Sequence, residues 1–134
     1  MPEPPPEFSV VIPTHDRADR IGAAVASVLR QTLPPAEVIV VDDASGDHTA
    51  QVLAALDDPR LHVVRHERNL GGAAARNTGV RAARHDWIAF QDSDDEWLPE
   101  KLERQAAAIM RLQAETADEV IGCYCGMIIL GRAE

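Results

Sequence analysis

Three carboxylates, on Asp92, Asp94 and Asp95, follow a short apolar run of the sequence. Hard divalent cations prefer oxygen ligands, and Mg²⁺ commonly takes one or two carboxylates together with the phosphates of a substrate. Only Ser93 separates Asp92 from Asp94, so both carboxylates can point to the same side of a loop. The spacing indicates a Mg²⁺ or Mn²⁺ site on Asp92 and Asp94, and its alternative is a solvated acidic turn.

A second acidic pair, Asp42 and Asp43, follows another apolar run. A carboxylate at this point could accept a hydrogen bond from the imide N–H of a uracil or thymine, or from a ribose hydroxyl. The alternative is that Asp42 or Ser45 caps a helix starting near Asp47.

A glycine pair, Gly71 and Gly72, stands four residues before Arg76. Glycines let the backbone approach a ligand, and a helix N-terminus favours anions, so Arg76 could reach a diphosphate. The segment contains neither the P-loop pattern nor the dinucleotide-binding glycine pattern. The alternative is a helix start that uses glycine and alanine without any ligand.

Alternating apolar runs and helical patterns position these residues. β-branched runs predict strands at 8–12 (stopped by Pro13), 38–41, 61–64, 87–90 and 120–130, with helices between them. Strands that are apolar throughout, each followed by a helix, predict an α/β fold with a Rossmann-like, mainly parallel sheet covered on both faces. Ligands bind such sheets beyond the carboxyl ends of the strands, where the acidic motifs fall.

Composition narrows the class of protein. The 134 residues suit one domain, and 13 basic against 22 acidic residues give a net charge of −9, which argues against a nucleic-acid-binding surface. The sequence predicts that residues 1–7 are a proline-rich, loose leader before a domain at 8–134. No apolar run is long enough for a membrane span. Cys123 and Cys125 are predicted to be buried, reduced thiols, which favours the cytoplasm.

Four motifs, in this order and spacing, resemble the family 2 glycosyltransferases: residues 9–17, 40–45, 69–77 and 90–99. The resemblance runs from Phe8 to about Glu115 and continues to Leu130. It implies the glycosyltransferase A fold, a nucleotide-diphospho-sugar donor (a UDP-sugar above all), a Mg²⁺ or Mn²⁺ ion, and transfer to an acceptor hydroxyl with inversion. The domain at 8–134 would then be a nucleotide-diphospho-sugar-binding domain.

The resemblance also implies roles for individual residues. Asp43 would contact the base in a pocket lined by Pro13, Thr14 and His15, and Arg76 would lie near base or phosphate. The last motif would supply Asp92 and Ser93 near the ribose or sugar, and Asp94, with Asp92, on the metal.

The chain departs from the family pattern in three ways. His15-Asp16 stands where an aromatic residue and asparagine are usual, and Gln91 stands where an apolar residue is common, for which nothing in the sequence accounts. The family's acceptor-binding half, with its catalytic base, lies downstream of the region that matches. The resemblance therefore implies an incomplete, donor-binding part without an identified catalytic residue and inactive by itself. Its acceptor would be a glycan, lipid or small molecule, and a longer form could attach to a membrane.

Two other functions remain open at this point. A sugar-nucleotide nucleotidyltransferase shares a related fold, but those enzymes usually carry a glycine-rich, basic loop where this chain has residues 13–16. A non-catalytic nucleotide-binding module could instead assemble with a partner, or with itself, through an exposed sheet edge at 120–130.

Overall fold

The computed structural model describes residues 3–116, 120 and 122–126. Within that part, four strands alternate with four helices. The elements are β1 (Phe8–Thr14), α1 (Ile21–Leu29), β2 (Glu37–Asp42), α2 (Thr49–Ala54), β3 (Leu61–Arg65), α3 (Gly72–Ala82), β4 (Trp87–Phe90) and α4 (Lys101–Glu115). The four predicted strands up to β4 and the helices between them are confirmed, with small shifts at their ends.

The strands form one parallel sheet in the order β3-β2-β1-β4. The chain moves outward from β1 through β2 to β3, then crosses back to place β4 on the other side of β1. The sheet therefore reverses its winding beside β1. Such a reversal opens a crevice at the carboxyl ends of the strands, which is where α/β proteins bind ligands. The predicted α/β class is confirmed.

The sequence predicts that Pro13 stops β1, but the strand continues to Thr14, which pairs with Asp42. The Thr14 carbonyl accepts a hydrogen bond from Asp43 N–H on the β2 side, so the neighbouring Pro13 nitrogen faces the opposite side. Pairing between β1 and β4 ends at Val11 and Phe90, before Pro13 is reached. Proline is tolerated here because no strand requires its missing N–H.

Two unequal apolar layers cover the sheet. On one face, β1 and β2 pack against α1, α2 and α4 through a cluster that includes Val10, Val40, Val25, Leu53 and Ile109. On the other face, Ile39 and Val41 pack against Ala75 of α3. A side chain at Gly79 would overlap Val11, so glycine lets α3 lie directly on β1.

Burial on both faces holds for β1 and β2 but not for the outer strands. Side chains of β3 and β4 are only partly covered, and Val63 and Phe90 are 47% and 49% exposed. The prediction that every strand is covered on both faces is wrong at these edges. Four helices cannot enclose a four-stranded sheet when three of them crowd onto one face.

The amino end of the sheet contains a buried carboxylate, Glu37, which is 1% exposed. Its oxygens accept hydrogen bonds from the Ser9 hydroxyl (2.6 Å) and from Arg84 N–H (2.6 Å) and Nε–H (3.0 Å). Burial by itself raises the pKa of Glu37, but these bonds outweigh burial and hold the pKa below its ordinary value. Glu37 thus ties β1 and β2 to the turn after α3.

The C-terminal prediction falls largely outside the described residues. Of the predicted strand at 120–130, Val120 and residues 122–126 are described and carry no strand. Cys123 and Cys125 are free and exposed, so the prediction that they are buried is wrong. Among the described helices, none has the length and apolar character needed to cross a membrane.

Candidate functional site

A pocket of about 280 Å³ lies at the carboxyl ends of β1, β2 and β4. It brings together all eight residues that the sequence analysis proposed as ligand or metal contacts. The lining comprises Pro13, Thr14, His15, Arg17, Asp43, Gly72, Ala75, Arg76, Asp92, Ser93 and Asp94. Residues from four separate segments therefore converge here because parallel strands deliver their carboxyl ends to one edge.

Asp43 is the most constrained carboxylate of the pocket and is 4% exposed. Its Oδ1 accepts hydrogen bonds from Leu70 N–H (2.8 Å) and His66 Nδ1 (2.7 Å), and its Oδ2 accepts from Gly71 N–H (2.8 Å). Burial raises the pKa of Asp43, but the hydrogen bonds from Leu70, His66 and Gly71 overcome burial and lower it. The carboxylate is therefore ionised and retains one acceptor direction on Oδ2.

Gly71 completes this arrangement through its backbone. Its φ of +94° lies in the region that favours glycine, and its N–H points at Asp43. In the structure the backbone of Gly71 approaches Asp43, and the approach of the glycine pair to a ligand stays a prediction. Helix α3 begins at the next residue, Gly72.

His66 and Thr78 do not line the pocket but contact it through Asp43, and the sequence analysis does not single them out. His66 Nε2 lies 2.8 Å from Thr78 Oγ1, while Nδ1 contacts Asp43. His66 directly follows β3, so the rule that located the acidic motifs at strand ends could also have found it. Thr78 sits within α3, where no sequence pattern marked it.

The loops after β1 and β2 are joined by reciprocal hydrogen bonds. His15 Nδ1 lies 2.8 Å from the Asp43 carbonyl, Asp16 N–H donates to Ser45 Oγ (2.9 Å), and Gly46 N–H donates to Asp16 Oδ1 (2.7 Å). Because the Asp43 carbonyl can only accept, His15 Nδ1 carries the proton in this contact. The two loops form one wall of the pocket.

Neither Asp42 nor Ser45 caps α2. Asp42 accepts from Ser45 N–H (2.9 Å) and pairs with Arg65 (2.8 Å), while Ser45 accepts from the β1 loop. Asp47 instead accepts the Thr49 N–H at 2.9 Å, where α2 begins.

Two residues of this wall adopt left-handed backbone conformations that disfavour a side chain. Asp16 has φ +49° and Ala44 has φ +58°. A non-glycine residue in this region costs about 1–2 kcal/mol, and such strain concentrates at functional sites. The hydrogen bonds between the loops hold both residues in place.

Substitution of Ala44 by glycine is expected to raise the free energy of unfolding by about 1 kcal/mol, because glycine removes the left-handed penalty. Urea denaturation measures this change. Ala23→Gly, on the exposed face of α1, is the matched control and should lower stability by a similar amount. A destabilising Ala44→Gly would contradict the assigned strain.

The loop after β4 presents acidic side chains to the pocket. Asp92 Oδ1 lies 2.8 Å from Arg76 Nη2, and Gln91 donates from Nε2 to the Asp95 carbonyl (2.7 Å). Gln91 is 2% exposed, so its amide closes the acidic loop from inside the protein and accounts for a polar residue at this position. Burial, then the charges of Asp94 and Asp92, raise the pKa of Asp95.

A divalent cation fits this donor set only with help from a ligand. Among the described residues, no three histidine, cysteine or acidic side chains are grouped to hold a metal ion. Asp92 and Asp94 offer two exposed carboxylates, of which Asp92 is paired with Arg76, and their charges add to the effect of burial in raising the pKa of Asp95. Two carboxylates suit Mg²⁺ or Mn²⁺ when phosphate oxygens and water complete the coordination.

Thr14 provides an unsatisfied polar group at the pocket. It is 3% exposed, borders the pocket, and its Oγ1 has no hydrogen-bond partner in the described part of the chain. A buried hydroxyl without a partner is uncommon, and a ligand in the pocket would supply one.

A parallel sheet flanked by helices, with its pocket at the strand ends, defines a Rossmann-like α/β protein similar to glycosyltransferases of the A fold. The sequence model of Glycosyl transferase family 2 matches residues 9–126, and the chain belongs to that family.

Individual relatives agree with this membership. The chain is 40% identical over 119 residues to the succinoglycan biosynthesis protein ExoO of Rhizobium meliloti (strain 1021), covering 86% of this chain and 34% of the relative. S. aureus TarS 1-349 in complex with UDP-GlcNAc superimposes with a TM-score of 0.74 at 34% identity, over 80% of this chain and 32% of TarS 1-349.

A third similar protein is the mannosyltransferase PcManGT from Pyrobaculum calidifontis in complex with GDP-Man and Mn²⁺. It superimposes with a TM-score of 0.70 at 29% identity, over 87% of this chain and 34% of PcManGT. The chain thus spans about a third of the length of each of these three proteins.

Proposed function

We propose that the pocket binds the nucleoside diphosphate part of a nucleotide-diphospho-sugar, and that this chain is the donor-binding part of an inverting, metal-assisted glycosyltransferase. One observation carries the proposal. Four sequence segments that resemble donor-binding motifs converge on a single pocket. One side of the pocket has the ionised carboxylate of Asp43, which already accepts three hydrogen bonds, and the other side has the two exposed carboxylates of Asp92 and Asp94.

The base is proposed to meet Asp43. Oδ1 already accepts two hydrogen bonds and Oδ2 accepts one, so one acceptor direction remains. The imide N–H of uracil is a single donor of the kind that this oxygen can accept. UDP-GlcNAc in the TarS complex supports a uridine nucleotide, whereas GDP-Man in PcManGT makes guanine the competing choice.

The diphosphate is proposed to lie between Arg76 and the Asp92–Asp94 loop. Arg76 stands in the first turns of α3, where the backbone N–H groups of the helix also favour an anion. A Mg²⁺ or Mn²⁺ ion held by Asp92 and Asp94 would neutralise charge on the leaving diphosphate. Mn²⁺ in PcManGT supports this part of the proposal.

The catalytic base is proposed to lie outside this chain. The pocket carboxylates Asp43 and Asp92 are engaged by backbone N–H groups and by Arg76, and Asp94 is assigned to the metal. The chain alone is therefore expected to bind the donor and to transfer little or no sugar. Cytoplasmic location, the nature of the acceptor and self-association stay predictions from the sequence.

Asp94→Asn tests the site because Asp94 makes no hydrogen bond or ion pair within the described residues, so the fold should persist. Calorimetry with UDP in Mn²⁺ is expected to show at least about tenfold weaker binding, while UDP binding in EDTA stays unchanged. Asp57→Asn, an exposed position with the same charge change, is the control. Equal Mn²⁺-dependent affinities for wild type and Asp94→Asn would overturn the metal assignment.

A further inference from the structure

His66 is a nearly buried imidazole behind the pocket, with a side chain 9% exposed. Both ring nitrogens are engaged, Nδ1 with Asp43 Oδ1 at 2.7 Å and Nε2 with Thr78 Oγ1 at 2.8 Å. The imidazole therefore connects the ends of β2 and β3 to the middle of α3. Arg76 lies two residues before Thr78 on the same helix.

The proton positions in this chain of contacts follow from the partners. An ionised carboxylate only accepts hydrogen bonds, so Nδ1 must carry a proton toward Asp43. In the neutral ring, Nε2 is then an acceptor and the Thr78 hydroxyl donates to it. A hydrogen bond at each nitrogen fixes both the tautomer and the orientation of the ring.

These contacts also restrict Asp43. With Leu70 N–H and His66 Nδ1–H on Oδ1, and Gly71 N–H on Oδ2, the carboxylate cannot rotate without breaking at least one charge-assisted bond. We propose that His66, supported by Thr78, is a positioning residue that turns a single acceptor of Asp43 toward the nucleotide base. This inference rests on the proposed function of the pocket.

Base selection is the consequence that a purely structural role would not produce. Uracil offers one imide N–H, which one carboxylate oxygen satisfies. Guanine offers N1–H and an exocyclic amine side by side, and a carboxylate satisfies both only by presenting two free oxygens. Oδ1 already accepts one hydrogen bond from Leu70 N–H, and His66 fills its second acceptor direction. His66 therefore favours uridine over guanosine nucleotides at Asp43.

Replacing His66 tests the inference when UDP and GDP affinities are measured together by calorimetry in Mn²⁺. His66→Leu is expected to weaken UDP binding about tenfold and to narrow the ratio of UDP to GDP affinity, because Oδ1 then has a free acceptor direction and only the two backbone N–H groups, of Leu70 and Gly71, hold the carboxylate. His66→Asn retains an N–H near the position of Nδ1 and should restore most of the ratio. Thr78→Val should give a smaller change in the same direction.

A second measurement does not depend on nucleotide. Nitrogen-15 NMR of the histidine ring should show the Nδ1–H tautomer for His66, and Asp43→Asn should alter that resonance. For the calorimetry of the His66 and Thr78 variants, the control is His48→Asn, a substitution at an exposed histidine.

The possible results distinguish a failure of the proposed function from a failure of the inference about His66. If wild type binds neither UDP nor GDP, the proposed function fails and the inference fails with it. If wild type binds UDP but His66→Leu leaves both affinity and ratio unchanged, or NMR shows the Nε2–H tautomer, only the inference is overturned. Equal losses in His66→Leu and His66→Asn, with an unchanged ratio, would also contradict it.

Discussion

Asp43→Asn is expected to lower the free energy of unfolding by about 3 kcal/mol and UDP affinity by at least about 100-fold. The carboxylate faces three N–H donors, from Leu70, Gly71 and His66. An asparagine amide must turn its NH₂ group toward one of these donors, which leaves two donors facing each other in a buried position. Urea denaturation measures the stability change, and calorimetry with UDP and Mn²⁺ measures the affinity.

The acid dependence of this effect has a definite sign. Because the folded protein lowers the pKa of Asp43 below 3.8, the ionised form stabilises the fold above that pH. The advantage of wild type over Asp43→Asn should therefore be complete near neutral pH and decline as the pH falls below about 4. Asp57→Asn should match wild type throughout, and an equally stable Asp43→Asn would contradict the assigned contacts.

Glu37→Gln is expected to have the second largest effect on stability, a loss of about 2–3 kcal/mol at neutral pH. Glu37 Oε1 accepts hydrogen bonds from the Ser9 hydroxyl and Arg84 N–H, and Oε2 accepts one from Arg84 Nε–H. In glutamine one of these two oxygens becomes an NH₂ group, which donates and therefore faces another donor. Glu37 lies at the amino end of the sheet, opposite the pocket, so UDP affinity measured under folding conditions should not change. Denaturation and calorimetry on the same sample distinguish the two effects.

Acid should weaken the contribution of Glu37 as well. Its pKa is lowered from 4.5, so its stabilisation is present above that pH and is lost as the pH falls through the lowered value. Glu67→Gln, at an exposed position, is the matched control. A Glu37→Gln variant that loses UDP binding while its stability is unchanged would place Glu37 in the site and contradict its structural role.

The sequence predicted the elements well because their patterns are local. The apolar runs around Val11, Val40 and Ala89 marked strands, and the rule that ligands lie at strand ends brought eight dispersed residues to one pocket. The local pattern also misplaced the end of β1, which was predicted at Pro13. A proline is excluded from a strand only where a neighbouring strand requires its N–H, and no single segment of sequence shows that.

Other features depend on contacts between distant positions. His66 and Asp43 are 23 residues apart, and Thr78 lies another 12 residues along the chain, so no local pattern relates them. The polar residue at Gln91 is explained by the hydrogen bond from its amide to the Asp95 carbonyl, a contact that no local pattern marks. The exposure of β3 and β4 likewise depends on which face of the sheet each helix covers. The sequences of the two strands do not contain that information.

The hydrogen bonds between the loops after β1 and β2 have a consequence for the rate and entropy of binding. His15, Asp16 and Gly46 join the two loops through hydrogen bonds within the protein, and these bonds hold the left-handed residues Asp16 and Ala44. A ligand that enters this side of the pocket therefore orders little backbone, which reduces the conformational entropy lost on association. Association should then be limited by encounter with the pocket rather than by loop closure, and its rate constant should lie in the ordinary range for a preformed site.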